Sequence, residues 1–328
     1  MAIYGEGQFD TCVVTGGSGA IGARLTQRLL DAGAKTVHVV DDLSSGYEWL
    51  LPDDPRIKLT HRDIVDVFNG SFDVPNAHVF HLAAFFANQN SVERPLDDLH
   101  TNGAGTLTVL KWAAENNAKR VVYASAGCSI AGHGIDAPIA ENMPVSLDLD
   151  TPYQITKALG EFYCNYYLSN VSNVRCRFFN SYGPGEVPGV YRNVIPNFIW
   201  LAMHDKPLTI TGTGEETRDF IYVDDLIEGL MRCALKDEAH GEAINLGTGR
   251  QTRIDELAKT IIELTDSKSE IIFAPRRSWD NSKTRQANID KARKILELDP
   301  DTRIGEGLKA TVQWFRDHAE QVARSSDF

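Results

Sequence analysis

Two groupings in this chain have the residue types and spacing to do chemistry. The first is a pair, Tyr153 and Lys157, within TPYQITKALGEFYCNYYLSN. Four residues apart on a helix, a phenol and an amine share one face. Thr151 suits the N-cap of that helix and Pro152 its first position. A free tyrosine has a pKa of about 10, too high for a base near neutrality, and a neighbouring ammonium lowers it. With ten tyrosines in the chain, one such spacing arises by chance. The pair therefore takes its meaning from what else the chain holds.

The second grouping is the glycine run of TCVVTGGSGAIG, with Gly16, Gly17, Gly19 and Gly22. Cys12, Val13 and Val14 before it read as a short buried strand. After it, Ala23, Leu25, Leu29 and Leu30 mark one face of a helix. Strand, glycine turn and helix in that order build an anion site. Backbone N–H groups approach a pyrophosphate, and the helix N-terminus adds partial positive charge. Asp41 ends the next strand, KTVHVVDDL, 19 residues after Gly22. That is close to the spacing at which a carboxylate accepts bonds from the adenosine ribose hydroxyls. It would repel a 2′-phosphate, and DDLSSGYEWL holds no Lys or Arg to reverse the preference. The expected cofactor is NAD.

Positioning these residues requires an alternating α/β frame. CVVTG, VHVVD, IKLTHRD, HVFHLAA and RVVYAS are strand candidates, and TLTVLKWAAENNA is the clearest helical pattern between them. Such alternation predicts a Rossmann-type, doubly wound parallel sheet, with binding groups at the carboxyl ends of its strands. Asp63 closes one strand and His81-Leu82-Ala83-Ala84 another. Ala83 and Ala84 either let a flat cofactor lie against backbone or are ordinary small core residues. Asn102 either caps the following helix or reaches the cofactor. From about Ser181 the alternation breaks up in SYGPGEVPGVYRNVIPNFIW, so residues 181–328 are expected to form a smaller, mixed α/β substrate domain. Residues 1–180 would hold the cofactor, with segments around 219–247 packing back on them. FIYVDDLIEGLMRCAL reads as strand then helix, with Asp224 or Asp225 near the helix start, where acids belong.

Composition sets outer bounds. A chain of 328 residues fits about two domains. The net charge of −12 argues against a nucleic-acid surface and against acidic membranes. An anionic ligand must therefore be met by local arginines and backbone dipoles. The five cysteines, Cys12, Cys128, Cys164, Cys176 and Cys233, have no zinc-like spacing, so no metal is expected and reduced thiols in a cytosol follow. MAIYGEGQFD lacks the features of a signal peptide, and no apolar run spans a bilayer. The expected location is the cytoplasm.

Taken together, TGGSGAIG, VDDLSSG, RDI, HLAA, the Asn102 segment, YxxxK, RFFNSYGPGE, RDFIYVDD, INLGTG and PRRSWD resemble an extended short-chain dehydrogenase/reductase. The resemblance is to the NAD-dependent nucleotide-sugar epimerase/dehydratase family, and it runs almost end to end. It implies that Tyr153 takes a proton from a sugar hydroxyl as hydride leaves the same carbon. Lys157 would hold the nicotinamide ribose and, with the positive nicotinamide, lower the phenol's pKa. It further implies a cofactor site of Gly16, Gly19, Ala20, Ile21, Gly22, Asp41, Leu43, Ser44, Asp63, Ile64, Leu82, Ala83, Ala84, Asn102 and Phe179, with Tyr153 and Lys157. For the sugar nucleotide it implies Ser129, Asn180, Arg192, Asn193, Val194, Thr209, Thr211, Arg218, Arg277 and Asp280. Arg218 and Arg277 would neutralise the diphosphate, for which a guanidinium fork is suited. Arg192 either meets a uronate carboxylate or is a plain surface residue.

Three positions depart from the family. Gly127 stands where a catalytic Ser or Thr is usual. If the segment is still extended, Ser125 and Ser129 point to the same side and either could substitute, directly or through a water; Ser125 also matches a position beside the nicotinamide. Cys128 stands where dehydratases carry an acid, and Ser129 where they carry its partner Glu. With no carboxylate at either, dehydration is weakened, since it needs both a base and an acid.

The leading expectation is a 4-epimerase of a UDP-linked hexose, hexosamine or uronate. Alternatives are a dehydratase, decarboxylase or 4-ketoreductase on a similar substrate, or a non-catalytic NAD-binding regulator. The resemblance also implies a homodimer through helices around residues 100–117 and 151–170, where Phe162, Tyr163, Tyr166 and Tyr167 would supply aromatic surface.

Overall fold

The computed structural model describes residues 4, 5, 7–132, 135, 138–276 and 283–326. Runs rich in Val, Ile and other apolar residues become strands because both faces of a central sheet are covered. The first six are β1 (Thr11–Thr15), β2 (Thr36–Asp41), β3 (Ile57–His61), β4 (His78–His81), β5 (Arg120–Ala126) and β6 (Asn173–Phe178). Later come β7 (Asn180–Tyr182), β8 (Leu208–Thr211), β9 (Thr217–Arg218), β10 (Phe220–Tyr222) and β11 (Ala243–Leu246). Short strands β12 (Thr252–Arg253), β13 (Ile271–Ala274) and β14 (Thr284–Arg285) follow. The main sheet runs β11-β6-β5-β4-β1-β2-β3, all neighbours parallel. The winding reverses between β1 and β4, and that is where such sheets bind ligands. The fold is a Rossmann-type, doubly wound α/β fold.

The helices are α1 (Ala20–Asp31), α2 (Ile64–Phe68), α3 (Asn88–Glu93), α4 (Pro95–Asp98), α5 (Thr106–Glu115), α6 (Gly127–Ile130), α7 (Pro152–Tyr166), α8 (Val194–Met203) and α9 (Val223–Leu235). A π-helical stretch, Leu99–Gly105, joins α4 to α5. One face of the sheet is covered by α1 and α9, which bury Leu25, Leu29, Leu226 and Leu230 against Val14, Val39 and Phe80. Each such leucine contributes roughly 1.5–3 kcal/mol. The other face takes Val109, Leu110 and Trp112 of α5 and Cys164 of α7 against Val13, Val40 and Val121. A third core, with Phe198, Ile199, Leu208, Ile210 and Phe315, belongs to the later part of the chain.

That later part also supplies α9 and the edge strand β11 to the first layer. Arg24 of α1 holds Asp224 of α9 by two bonds of 2.7 Å, so Asp224 pairs across helices, and Asp225 accepts from the Thr302 N–H at 3.3 Å. No helix among the described residues is long and apolar enough to cross a membrane.

Candidate active site

At the carboxyl end of β1, Gly16 has a φ of +66°. A Cβ there would lie 2.7 Å from the Ala83 nitrogen, so the turn and the Leu82–Ala84 backbone touch. At Gly22 a Cβ would strike Gly16 and Gly17 backbone, the latter at 2.6 Å. The N-terminus of α1 has no side-chain cap and no acid in its first turn. The N–H groups of Ala20, Ile21 and Gly22 are thus left for an anion. Asp41 is buried, and its oxygens accept from the Ser18 N–H at 2.8 Å and the Leu43 N–H at 2.9 Å. Burial raises its pKa while these two bonds oppose the shift. An ionised carboxylate has acceptor sites beyond these two, as ribose hydroxyls require. The Ser18 hydroxyl nearby is buried without a partner among the described residues. These features fit NAD.

Leu43 takes a φ of +57°, and Ser44 is exposed, donating its N–H and hydroxyl to Asp42. Asp63 caps α2 by accepting from the Val65 N–H at 2.8 Å and lies 3.2 Å from the His100 ring; Ile64 beside it is buried. Leu82, Ala83 and Ala84 stay half-exposed as groove lining. Asn102 makes a third kind of contact. Its amide brackets Phe85, accepting from the Phe85 N–H at 2.8 Å and donating to the Phe85 carbonyl at 3.2 Å. It therefore holds the loop after β4 in place.

Tyr153 sits in the first turn of α7, whose start is fixed by a reciprocal Thr151–Gln154 capping box. The Tyr153 N–H donates to the Ser91 hydroxyl at 3.1 Å, and the Phe86 ring meets the phenol edge-on with centroids 6.0 Å apart. Lys157, one turn on and buried, donates to the Ala124 carbonyl at 2.9 Å. Its Nζ lies 5.7 Å from the Tyr153 ring centroid and 5.4 Å from that of Tyr123. Burial pushes Lys157 down to about 8, opposed by Asp98. Burial also pushes the Tyr153 phenol up, with Cys128 and Asp98 adding to it. The expected lowering calls on the nicotinamide's charge as well as the lysine's; in the chain alone, burial sets the direction. His81 at the floor of the site is a buried neutral imidazole, pushed down to about 3 by burial and then by Lys157. It lies between the Thr15 and Thr106 hydroxyls at 2.8 and 3.0 Å.

The strand does not continue past Ala126, because residues 127–130 turn into α6. The expected alternation that would align Ser129 with residue 127 does not hold. Ser129 is half-exposed on that turn. The Ser125 hydroxyl donates to Glu161 at 2.6 Å, and Glu161 is held by Arg177 at 2.8 and 2.9 Å. So Ser125 is directed into a buried ion pair one turn beyond Lys157. At Gly127 a Cβ would lie 2.6 Å from the ring of buried Phe179 and 3.2 Å from the Arg177 Cβ. Phe179 occupies the space where a side-chain hydroxyl would stand. Gly127→Ser should therefore lower thermal stability by about 1–3 kcal/mol, as overpacking does, with no gain in kcat. Thermal melts and turnover of the variant check both halves.

On the substrate side, Asn180 presents a buried side-chain oxygen with no partner among the described residues. Asn193 precedes α8 but donates to Glu186 at 2.7 Å instead of capping. This leaves the Val194 N–H at an uncapped helix start with no acid in its first turn. Thr209 is exposed and Thr211 half-buried on β8. Arg192 crosses the cleft to the Ser45 carbonyl at 2.6 Å, and Tyr191 beside it reaches Glu93 at 2.5 Å. Gly185 of the same loop packs on Ala20, where a Cβ would come within 3.4 Å of its Cα. Arg218 pairs in parallel register with Arg285. Both lower the Cys128 thiol's pKa, although burial dominates and pushes it up. Arg285 also donates to the Cys128 carbonyl. Arg277 and Asp280 lie outside the described residues.

Sequence reasoning passed over Asp98, Glu161, Arg177, Asp219 and Arg285. Asp219 is fully buried and accepts from Thr248, Gly249 and Ala287 backbone at 2.8–3.0 Å, fixing the strands that carry both arginines. Glu161 continues the Tyr153–Lys157 stripe at the same four-residue step, a signal that was present. Nothing in TRQAN marks Arg285.

A glycine-turn dinucleotide site and a Tyr–Lys pair at neighbouring strand ends define a nicotinamide-dependent enzyme of the short-chain dehydrogenase type. More particularly, the chain belongs to the NAD dependent epimerase/dehydratase family, whose model matches residues 12–247. It is 32% identical over 322 residues to a UDP-N-acetyl-alpha-D-glucosaminuronate decarboxylase of Bacillus cytotoxicus, covering 93% of this chain and 98% of that one. It is also 32% identical over 316 residues to a UDP-glucose 4-epimerase of Mycolicibacterium smegmatis, covering 94% and 99%. A solved epimerase structure from Methanothermobacter thermautotrophicus superposes with a TM-score of 0.92 at 46% identity, covering 97% and 96%. The cofactor is NAD.

Proposed function

We propose that this protein is an NAD-dependent 4-epimerase of a UDP-linked sugar. The observation that carries the reading is the Tyr153–Lys157 pair beside a site that, among the described residues, has no second acid–base couple. Cys128 is a thiol pushed up by burial, and Ser129 carries no carboxylate. Tyr153 accepts the hydroxyl proton and gives it back, while Lys157 supplies positive charge and holds the nicotinamide ribose. The glycine turn at Gly16–Gly22 and Asp41 would hold NAD, which would supply the hydride acceptor and donor for carbon 4. We assign residues 1–180 to the cofactor and 181–328 to the sugar nucleotide. Arg218 and Arg277 neutralise the diphosphate with the Val194 N–H. Incubation with UDP-glucose, UDP-N-acetylglucosamine and UDP-glucuronate, followed by proton NMR, tests this. The expected product is the 4-epimer with no net NADH; release of water or carbon dioxide overturns it.

A second reading, decarboxylation of a UDP-uronate, is favoured by Arg285. Its guanidinium donates to the Cys128 carbonyl, on the turn that follows β5, and we place that positive charge beside the sugar. Arg285→Ala should raise KM for UDP-glucuronate at least tenfold, as loss of a charged hydrogen bond of about 1.5–3 kcal/mol implies. KM for UDP-glucose should change little. Equal effects on both sugars would show that Arg285 only supports the loop.

We infer a homodimer through the helices around residues 100–117 and 151–170, with α3 and α4 beside them. Val92 of α3, Leu96 of α4, Leu99 of the π-helical stretch, and Ile155, Phe162 and Tyr166 of α7 are all exposed, and exposed apolar residues on packed helices are the surface such a seam would cover. Tyr163 and Tyr167 instead pack partly against their own core. The net charge of −12 supports a surface that binds neither nucleic acid nor acidic membranes, and the five free cysteines support a reducing, cytoplasmic setting.

A further inference from the structure

Beneath the Tyr–Lys pair lies a carboxylate that the proposed reaction does not use. Asp98 ends α4, is fully buried, and is surrounded by groups that also build the site. One oxygen accepts from the Asn102 amide at 2.7 Å, and the other is 2.6 Å from the hydroxyl of Thr156, which adjoins Lys157. Asn102 in turn brackets Phe85 in the loop that floors the cofactor groove.

Isolated buried carboxylates are costly and persist where a positive charge offsets them. The charged and titratable groups facing Lys157 identify that partner. On α7, Tyr153 lies one turn before it, and Glu161 one turn after, already paired with Arg177 at 2.8 Å. From β5 come the Tyr123 ring at 5.4 Å and the Ala124 carbonyl at 2.9 Å. His81 of β4 is a neutral imidazole, and Cys128 faces Tyr153 with its thiol protonated. Among the described residues, Asp98 is the carboxylate facing Lys157 that no arginine neutralises.

We propose that Asp98 is a positioning residue that keeps Lys157 cationic inside the buried site and ties its charge to the floor of the cofactor groove. This rests on the reading of Tyr153 and Lys157 as the catalytic pair. Negative charge at Asp98 stabilises the ammonium and opposes the phenolate, so it raises the pKa of both groups. Removing that charge lowers both. Activity needs Tyr153 able to lose its proton and Lys157 to keep its own. Both limbs of the pH–rate profile therefore move to lower pH.

The test compares kcat/KM against pH for the NAD-loaded wild type, Asp98→Asn and Thr156→Val, with the same three UDP-sugars as probes. In Asp98→Asn both limbs should shift down by about one pH unit, the low end of the effect of a nearby charge. Thr156→Val keeps the carboxylate, so its limbs should stay in place even where its maximum falls. Asp98→Ser, smaller and still able to accept from Asn102, serves if the Asn variant does not fold. A lower maximum with unmoved limbs in Asp98→Asn overturns the proposal. So does a Thr156→Val profile that shifts equally. Tyr153→Phe is run alongside: if it turns over, the catalytic-pair reading fails. If it is inactive while Asp98→Asn keeps wild-type limbs, the role of Asp98 alone fails.

Discussion

Tyr153→Phe should cost about a thousandfold in kcat with the fold and the bound NAD unchanged. The substitution removes one oxygen. General acid–base groups of this kind contribute roughly a hundred- to ten-thousandfold. The rest of the surroundings do not depend on that oxygen. The Tyr153 N–H still donates to Ser91, the ring still meets Phe86 edge-on, and Lys157 still donates to Ala124. Circular dichroism, NAD content after desalting and NMR turnover check the three parts. A variant that epimerises at even a third of the wild-type rate removes Tyr153 from the chemistry.

Gly22→Ala should cost NAD affinity a hundredfold or more. The added methyl meets backbone of Gly16 and Gly17, at 2.6 Å from the Gly17 Cα, and backbone cannot swing aside as a flexible side chain can. The turn must open, and the N–H groups aimed at the pyrophosphate move with it. Losing two bonds to a charged group, each about 1.5–3 kcal/mol, corresponds to at least two orders of magnitude in Kd. Fluorescence titration with NAD reads the change. Unaltered affinity would mean that the dinucleotide lies elsewhere.

The sheet and the cofactor end were legible because they follow from local pattern. The glycine spacing, the apolar runs and Asp41 each have a short-range physical cause. The catalytic pair was readable for the same reason, since helical periodicity brings residues four apart together. What escaped depends on contacts between distant segments. Asp98 sits in PLDDLHTN, which looks like a solvated acidic helix, and only packing against α7 buries it. Arg285 gains its meaning from a two-residue strand paired to β9. Ser125 looked available until Glu161 and Arg177, from two other elements, claimed its hydroxyl. Likewise, the rise in the Tyr153 pKa is a property of enclosure, which no spacing of residues reports.

The chain passes repeatedly between the two layers, since β11 and α9 join the first sheet after β7–β10 have been built. A rigid-body hinge needs a few connecting residues to absorb the rotation, and several parallel connections resist it. The loop around Gly185–Asn193 adds two more ties across the cleft, Tyr191–Glu93 and Arg192–Ser45. A molecule held beneath that loop would leave on that side only once both ties had parted.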